Sequence, residues 1–397
     1  MIRRSTFLKL IAIFMAFGLL AAACGSDDDD AEPAAEPEPA AEPAAEPEPE
    51  PEAEADAPAP ETDDGALRVA LLVPGVRNDN SFSQAGVEGI DAAAAADGNV
   101  EITIVEEIID PTDSLPAIRD FANQGFDLII GHGIEYVDPI QQLQGEFPDV
   151  NFAMAGGILV PGASTEANSV DWLYNIQDMA YPNGLLAANA IIGDTIGIVG
   201  GPEFDFVKDM HQSFRDAALS VNPDLEFLEG FAGDFIDVQR AAEVAQQLID
   251  QGADFIYCSG DGICIGAAQT AAAAGIPIAV GFGSQEQTAP DVFLSATVIR
   301  LEQLYQTWFD LVRADSFGTA DGESHTVVDG DVGAAIGAGY AFFPSGIFNG
   351  QVEVMPVNRA ATVETAASLD ELQAVLDEFV ASVADGSFQI PFPIRDE

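Results

Sequence analysis

The sequence predicts an α/β protein with two similar lobes, each a doubly wound and mostly parallel sheet covered by helices on both faces. The first observation is that short apolar runs alternate with helical patterns from residue 67 onward. The second is an internal repeat, in which QGFDLIIG at 124–131 is matched by QGADFIYC at 251–258, each after a predicted helix. Two such lobes would face each other across a cleft that hinge motion can close.

The first half of the pattern begins with an apolar run at residues 67–73, which is short enough to be a strand buried on both faces. Pro74 and Gly75 end it, and a helix follows a polar loop. The next expected elements are a strand at 101–109, a helix at 114–124, a strand at 126–131, a helix at 139–147 and a strand at 150–155.

The pattern starts again at residue 195 and loosens beyond residue 294. The expected strands are 195–199, 225–230, 255–258, 276–281, 334–342 and 351–357, and the expected helices are 210–220, 238–251, 263–274, 299–312 and 369–383. We expect the chain to cross between lobes near residues 171–175 and again near 295–300. One lobe would then comprise about 66–172 plus part of 297–330, and the other about 173–296 plus part of the C-terminal segment.

The first 65 residues are not expected to belong to this fold. Residues 1–24 have a basic start, an apolar stretch and small residues before Cys24, which is typical of a bacterial lipoprotein signal. Plain secretion is the alternative. Residues 25–65, rich in Asp, Ala-Glu-Pro and Glu-Pro, would form a disordered acidic tether. Together they predict an extracytoplasmic domain attached to the membrane by a lipid on Cys24.

The charge of the chain excludes one class of partner. The formal net charge is −54, and the part beyond the tether still carries about −40. Nucleic-acid binding requires clustered Lys and Arg, yet only Lys208 follows Lys9 in the sequence. We therefore expect no nucleic-acid partner.

Cysteines and histidines give little sign of catalysis or metal binding. Cys258 and Cys264 could form a small-loop disulfide in an exported protein, and two free thiols are the alternative. His132, His211 and His325 show no metal-ligand spacing. His132 follows a strand and could contact a ligand, whereas the other two are expected to be structural. With no phosphate-binding loop or nucleophile elbow, the sequence predicts no enzyme, no metal and no cofactor.

The loop after the first strand is the leading candidate for ligand binding, because ligands bind at the carboxyl ends of strands in open α/β sheets. Phe82 would stack on a flat ring, while Asp79, Asn80 and Gln84 would contact its edges, and Ser81 completes the loop. The alternative is an ordinary βα loop in which Asn80 or Ser81 caps the helix.

Other strand-end loops would complete the pocket. For Phe204 and Phe206, core packing is the more ordinary explanation. The further candidates are Gly131, His132, Gly156, Phe204, Asp205, Phe206, Ser259, Gly260, Asp261, Gly283, Ser284, Gln285 and Arg300.

Residues 79–89, DNSFSQAGVEG, resemble the opening signature of the basic membrane protein family, with SFSQ where members usually have SFNQ. Further similarities, in order along residues 67–305, are DP at 138–139, FPDV at 147–150, NGLLAA at 183–188, IGIVGG at 196–201 and LIDQGAD at 248–254. The resemblance implies a type I periplasmic-binding-protein fold and a monomeric lipoprotein. It also implies that the lipoprotein captures a purine nucleoside by lobe closure and delivers it to an ABC permease and its ATPase.

The departures from the family pattern concern the ligand. Gly283 stands where members that bind nucleosides have an Asp for the ribose hydroxyls, and Arg300 ends a stretch where they have Ser-x-x-Lys. The family's Gly-Thr-Gly loop reads Gly-Asp-Gly at residues 260–262. A free nucleobase or an unrelated small molecule therefore stays open as the ligand. A sensor module without a transport role, or a surface hydrolase acting on nucleosides, is the alternative function.

Overall fold

Two parallel-dominated sheets organise the computed structural model, which describes residues 65–154, 168–171, 176–317, 325–326, 330–331 and 352–391. The signal, the tether with Cys24 and the strand expected at 334–342 lie outside these ranges. No helix in the described ranges has both the length and the apolar character needed to cross a bilayer.

The first sheet has five parallel strands in the order β2-β1-β3-β4-β5. Its strands are β1 (Leu67–Leu72), β2 (Val100–Val105), β3 (Leu128–Gly131), β4 (Asn151–Met154) and β5 (Ser169–Asp171), and its helices are α1 (Phe82–Asp97), α2 (Pro111–Asn123) and α3 (Val137–Leu143). A 3-10 turn at Ile134–Tyr136 precedes α3. We call this sheet and its helices the first lobe.

The second sheet has six strands in the order β13-β10-β9-β8-β6-β7, and β13 alone runs antiparallel to its neighbour. Its strands are β6 (Thr195–Gly200), β7 (Glu226–Phe231), β8 (Phe255–Ser259), β9 (Ile278–Gly281), β10 (Phe293–Ile299) and β13 (Val352–Val354). The short strands β11 (His325–Thr326) and β12 (Gly330–Asp331) pair with each other in a separate two-stranded sheet. The helices are α4 (Tyr181–Ala190), α5 (Asp205–Val221), α6 (Val238–Asp250), α7 (Ile263–Ala274), α8 (Glu302–Arg313) and α9 (Leu369–Ala384). This sheet with α4–α7 and α9 is the second lobe, and the predicted α/β class with two doubly wound sheets is confirmed.

Side chains of the central strands alternate between two cores, as period-2 geometry requires of a strand covered on both faces. Along β1, Val69 and Leu71 pack into one hydrophobic cluster, while Ala70 and Leu72 pack into another. The same alternation along β8 separates Tyr257 from Ile256. Helices therefore cover both faces of each sheet, and the strand ends are left for the loops that form the site.

One strand was not predicted, and the helix after it was expected to begin too early. The helix expected at 299–312 begins only at residue 302, and Ile299 ends β10. The segment from Phe293 to Ile299 is almost entirely buried between β9 and β13, and its Thr, Val and Ile favour a strand. Other differences concern ends: β2 stops at residue 105, α5 begins at 205 rather than 210, and α3 occupies 137–143 rather than 139–147.

The described parts of the chain change lobe three times. The chain leaves the first sheet after β5, returns after β10 to α8, which packs on α1, and reaches the second sheet again at β13. Residues 172–175 of the first expected crossing lie outside the described ranges. The Met179 carbonyl, which follows that crossing, accepts hydrogen bonds from Thr297 Oγ1 at 2.7 Å and from Tyr257 Oη at 3.3 Å. The Met179 carbonyl oxygen thus links the segment after the first crossing to β10, which precedes the second crossing.

Candidate functional site

A cleft lies where loops at the carboxyl ends of the strands of both lobes meet, and its empty space is about 690 Å³ including its opening. Most of its surface is apolar, and the side chains of Glu135 and Asp261 are its ionisable groups. The lining residues are Pro74, Phe82, Ile109, Gly133, Ile134, Glu135, Phe206, Met210, Phe235, Ile236, Gly260, Asp261 and Phe282.

The N-terminus of α1 brings the first lobe to this cleft. Asp79 Oδ1 accepts hydrogen bonds from the backbone N–H groups of Ser81, at 2.8 Å, and Gln84, at 3.1 Å. Asp79 therefore satisfies two of the free donors at the start of α1, and the Ser81 hydroxyl is available for another contact. Gln84 accepts from the Asn80 N–H and donates to Glu88, so its side chain serves the helix.

Phe82 is held in place by His132. The two rings stack with centroids 4.0 Å apart and an interplanar angle of 18°. His132 Nε2 lies 2.8 Å from the Phe82 carbonyl oxygen, which can only accept, so Nε2 carries the proton. Burial lowers the pKa of His132 to about 4, so the ring is neutral at pH 7. His132 thus positions Phe82 from behind, while Phe82 itself lines the cleft.

The lobes touch directly beside the cleft. Ser81 Oγ donates to the Gly260 carbonyl at 3.1 Å, and Ser83 Oγ lies 3.3 Å from Asp261 Oδ2. A Cβ on Gly283 would collide with the Asn80 carbonyl oxygen, so only glycine allows this approach of the two backbones. The structure therefore describes the closed arrangement of the lobes.

Two carboxyl groups meet across this contact. Asp79 and Asp261 are each only 5% exposed. A Cβ on Gly75 would lie 3.2 Å from Asp79 Oδ2 and 3.6 Å from Asp261 Oδ2. Burial, and then the nearby charge of Asp79, raises the pKa of Asp261 well above its usual range. This arrangement therefore favours a proton on Asp261.

Residues with positive φ lie on both sides of the contact. Asn80 has φ of 56° and Phe282 has φ of 76°, a region that bulky side chains rarely occupy. The Phe282 ring packs edge-on against Phe82, with centroids 6.2 Å apart. Asn adopts this region more readily than other residues, whereas Phe282 is strained, and such strain often occurs at ligand-binding sites. Phe282 lies in the cleft wall with Phe82.

A buried hydrogen-bonded chain lies behind the cleft at the end of β8. His211 Nε2 is 2.5 Å from Ser259 Oγ, His211 Nδ1 is 2.5 Å from Glu229 Oε1, and Glu229 Oε2 is 2.8 Å from Arg215. Burial alone would raise the pKa of Glu229, but His211 and Arg215 hold it down at about 2. Burial also lowers the pKa of His211. The order of groups is that of a hydrolase triad, yet Ser259 and His211 are fully buried.

The second lobe contributes its strand-end loops to the cleft. Cys258 and Cys264 form a disulfide with Cα atoms 5.6 Å apart, within the usual range. It closes the short loop that presents Gly260 and Asp261 to the first lobe. Among the described residues, no group of three or more His, Cys, Asp or Glu side chains could hold a metal ion.

The sequence-based candidates divide into three groups. Phe82, Phe206, Gly260 and Asp261 line the cleft. Behind it lie Asp79, Ser81, His132 and, against the expectation of a ligand contact, Ser259, which bonds His211 instead. Gly156 lies outside the described residues.

The remaining candidates lie away from this cleft in the closed arrangement. Gly131 is buried at the end of β3 against Tyr136, and Gln285 is fully buried and bonded to Thr288. Phe204 and Asp205 are exposed at the start of α5. A second depression, on the outer side of Phe282, is lined by Asn80, Gln84, Gly283, Ser284 and Arg300, whose side chain pairs with Glu353.

Sequence reasoning missed most of the cleft wall. Glu135 follows the candidate pair Gly131-His132 by three residues, and Phe282 lies between Gly281 and the candidate Gly283. Both residues follow a strand, so the rule that ligands bind at the carboxyl ends of strands could have identified them. Phe235 and Ile236 come from the loop after β7. That this loop reaches the cleft depends on the order of strands in the sheet, which the sequence does not give.

Two doubly wound lobes that close over an aromatic cleft define a solute-binding protein of the periplasmic-binding-protein type. A solved ABC transporter solute-binding protein from Conexibacter woesei has this fold, with a TM-score of 0.64 and 28% identity over 83% of this chain and 100% of that one. The predicted architecture is confirmed.

The chain belongs to the Bmp family, whose model, described as ABC transporter substrate-binding protein PnrA-like, matches residues 66–326. The resemblance seen in the sequence is thereby confirmed. The transcriptional activator protein Med of Bacillus subtilis is 25% identical over 65% of this chain and 78% of its own length. A purine-binding protein of Brucella abortus is 30% identical over 50% of this chain and 55% of its own length, so that match spans about half of each protein.

Proposed function

We propose that this ABC substrate-binding protein is an extracytoplasmic lipoprotein, anchored through Cys24, that captures a purine for import. The ligand would bind between the lobes as a free nucleobase or a nucleoside. The closed complex would then deliver it to a membrane permease and its ATPase. The protein would act as a monomer, with residues 25–65 as its tether.

The observation that carries this proposal is the cleft itself, which Phe82, Phe206, Phe235 and Phe282 line. Aromatic walls with few polar groups suit a flat ring, and stacking of a base on an aromatic side chain contributes about 1–3 kcal/mol. His132 fixes the plane of Phe82, so little side-chain entropy is lost when a ring stacks on it.

A nucleobase fits the contact between the lobes better than a nucleoside does. The family resemblance places the ribose-binding carboxylate at Gly283, which faces the Asn80 carbonyl with no room for a side chain. The ribose hydroxyls would therefore lack their usual acceptor. The name of the Brucella relative, a purine-binding protein, supports a purine without specifying a nucleoside.

Catalysis is not part of the proposal. The Ser259–His211–Glu229 chain has the order of a hydrolase triad, but a serine with no exposed surface is out of reach of a substrate. Its role would be to hold the end of β8.

Mass spectrometry of small molecules released from the purified protein tests the ligand, and calorimetric titration with adenine, guanine, hypoxanthine and their nucleosides tests the affinity. We expect a purine to be recovered and to bind without being converted. Recovery of a sugar, an amino acid or a peptide, or turnover of a nucleoside, would contradict the proposal.

Ligand sensing is the second candidate, because one relative is named as a transcriptional activator. Such a module would use the same cleft but signal to a partner instead of feeding a permease. Co-purification from membranes after mild crosslinking distinguishes the two. Capture of a permease and its ATPase supports import, and ligand-dependent capture of a regulatory protein instead supports sensing.

A further inference from the structure

The polar side chains at the cleft are all of one kind. Asp261 and Glu135 line it, and Asp79 lies directly behind Asp261. Among the described residues that line the cleft, none is Lys or Arg, so the ionisable groups there are hydrogen-bond acceptors when charged. Burial raises the pKa of Glu135 as well as that of Asp261. Carboxyl groups thus gather at the cleft without a cation from the protein, and burial favours their protonated forms until a positive group pairs with them.

Asp79 and Asp261 also have unused acceptor capacity. Each is 5% exposed, yet Asp79 Oδ2 and Asp261 Oδ1 accept no hydrogen bond from the residues that the structure describes. A buried carboxylate oxygen without a partner costs free energy. Asp261 belongs to the cleft wall, so a ligand in the cleft can reach it.

We propose that the cleft takes a small organic cation, an aromatic body with a protonated amine or amidinium group that lies against Asp261, with Asp79 behind it. Such a group would supply the missing donor to Asp261 Oδ1. The four phenylalanines would contact the ring and the charge, since a cation over an aromatic face is stabilised by the ring quadrupole.

The proposal rests on the proposed function, because it requires that the cleft bind a solute. It restricts the class of ligands to those with a positive charge. A purine belongs to this class when it is positively charged at neutral pH, as an N-alkylated purinium is, whereas the phosphate of a nucleotide excludes it. The chain also uses both lobes for recognition, since Asp79 and Asp261 come from opposite sides.

Titration calorimetry with benzamidine, benzamide and benzoate tests the charge, because these three probes share a size and differ in charge. We expect benzamidine to bind wild type roughly 30-fold or more tightly than benzamide, the loss usual for an unpaired buried charge, with no binding of benzoate. Asp261→Asn should remove most of this preference. The control is Asp224→Asn, which removes the same charge from an exposed turn before β7 and should retain it.

Equal binding of benzamidine and benzamide to wild type would overturn the proposal, as would an unchanged preference in Asp261→Asn. Tight binding of neutral purines with no preference for the cation would overturn it and leave the proposed function standing. A preference for benzamidine with no binding of any purine would support the cation site while contradicting the purine ligand.

Discussion

At the scale of single residues, Phe82 is the side chain whose contacts are most directly organised for ligand binding. Its ring is stacked on His132 and held edge-on by Phe282. Phe82→Leu should weaken binding of an aromatic ligand by about 1–3 kcal/mol, since the ring contact is lost while most of the apolar volume stays. Calorimetry with the extracted ligand measures this.

A matched control is Phe121→Leu, which changes a part-buried aromatic that pairs with Phe126 away from the cleft. It should reduce stability without changing affinity. Equal affinities of wild type and Phe82→Leu would remove Phe82 from the site.

His132 gives a prediction for stability against pH. Its pKa in the folded protein is about 4, below the ordinary 6.5, because burial disfavours the charged ring. The unfolded chain therefore binds more protons between these values, so the stabilisation is complete above pH 6.5 and is lost as the pH falls toward 4. The loss should amount to about 3 kcal/mol.

Denaturant unfolding of wild type and His132→Gln between pH 4 and 7.5 measures this loss. The difference between the two proteins isolates His132 from the carboxyl groups that titrate in the same range. We expect the difference to shrink as the pH falls, and a difference that is constant with pH would contradict a buried neutral histidine.

The sequence predicted those site residues that can be identified from their residue type and from their position in a loop after a strand. Phe82 and Asp261 follow strands of the repeat, so the strand-end rule finds them. The pairing of Asp79 with Asp261 could not be predicted, because it joins residues far apart in the chain and depends on how closely the lobes approach. The same holds for Ser259, which turns inward to His211 instead of toward the cleft.

At the scale of elements, the polar chain at the end of β8 should be structural. Ser259→Ala would leave His211 Nε2 buried without its partner, at a cost of about 1–3 kcal/mol in unfolding free energy. Ser316→Ala, at an exposed position after α8, is the control and should change stability little. Thermal and denaturant unfolding measure both variants.

The same network gives a direct check on the hydrolase alternative. A buried serine should not react with a fluorophosphonate probe, because the reagent cannot reach Ser259 Oγ. Labelling of wild type that disappears in Ser259→Ala would show an accessible nucleophile and contradict the structural role.

Element boundaries were predicted best where one signal dominates. Helix α7, at Ile263–Ala274, was predicted to the residue, because Gly262 and Gly275 enclose an alanine-rich run. Strand β10 was missed because an apolar run beside a helix has no periodicity of its own to separate the two. The segment is a strand because it pairs with β9 and β13, and this pairing depends on the tertiary structure.

At the scale of the whole molecule, closure of the lobes should depend on pH. The groups that face Asp261 are the Asp79 carboxyl, the Ser83 hydroxyl and the Phe82 backbone N–H, and Glu135 lies on the same cleft. Separating the lobes would return Asp261 to water and to its ordinary pKa. Because its pKa is raised in the closed arrangement, the closed form binds a proton that the open form releases.

Closure of the protein alone should therefore be favoured at low pH and lost as the pH rises above about 4, the ordinary value for Asp. A bound ligand that donates to Asp261 would replace the proton and shift the population back to the closed form by its difference in affinity for the two states. Labels at Asp120→Cys on α2 and Gln246→Cys on α6 would report the distance between the lobes, since both positions are exposed. We expect this distance to increase with pH, to decrease on addition of ligand, and to become independent of pH in Asp261→Asn, where the repulsion is removed.

A pH-dependent distance that persists in Asp261→Asn would assign the effect to other groups. A distance that never changes would exclude a hinge.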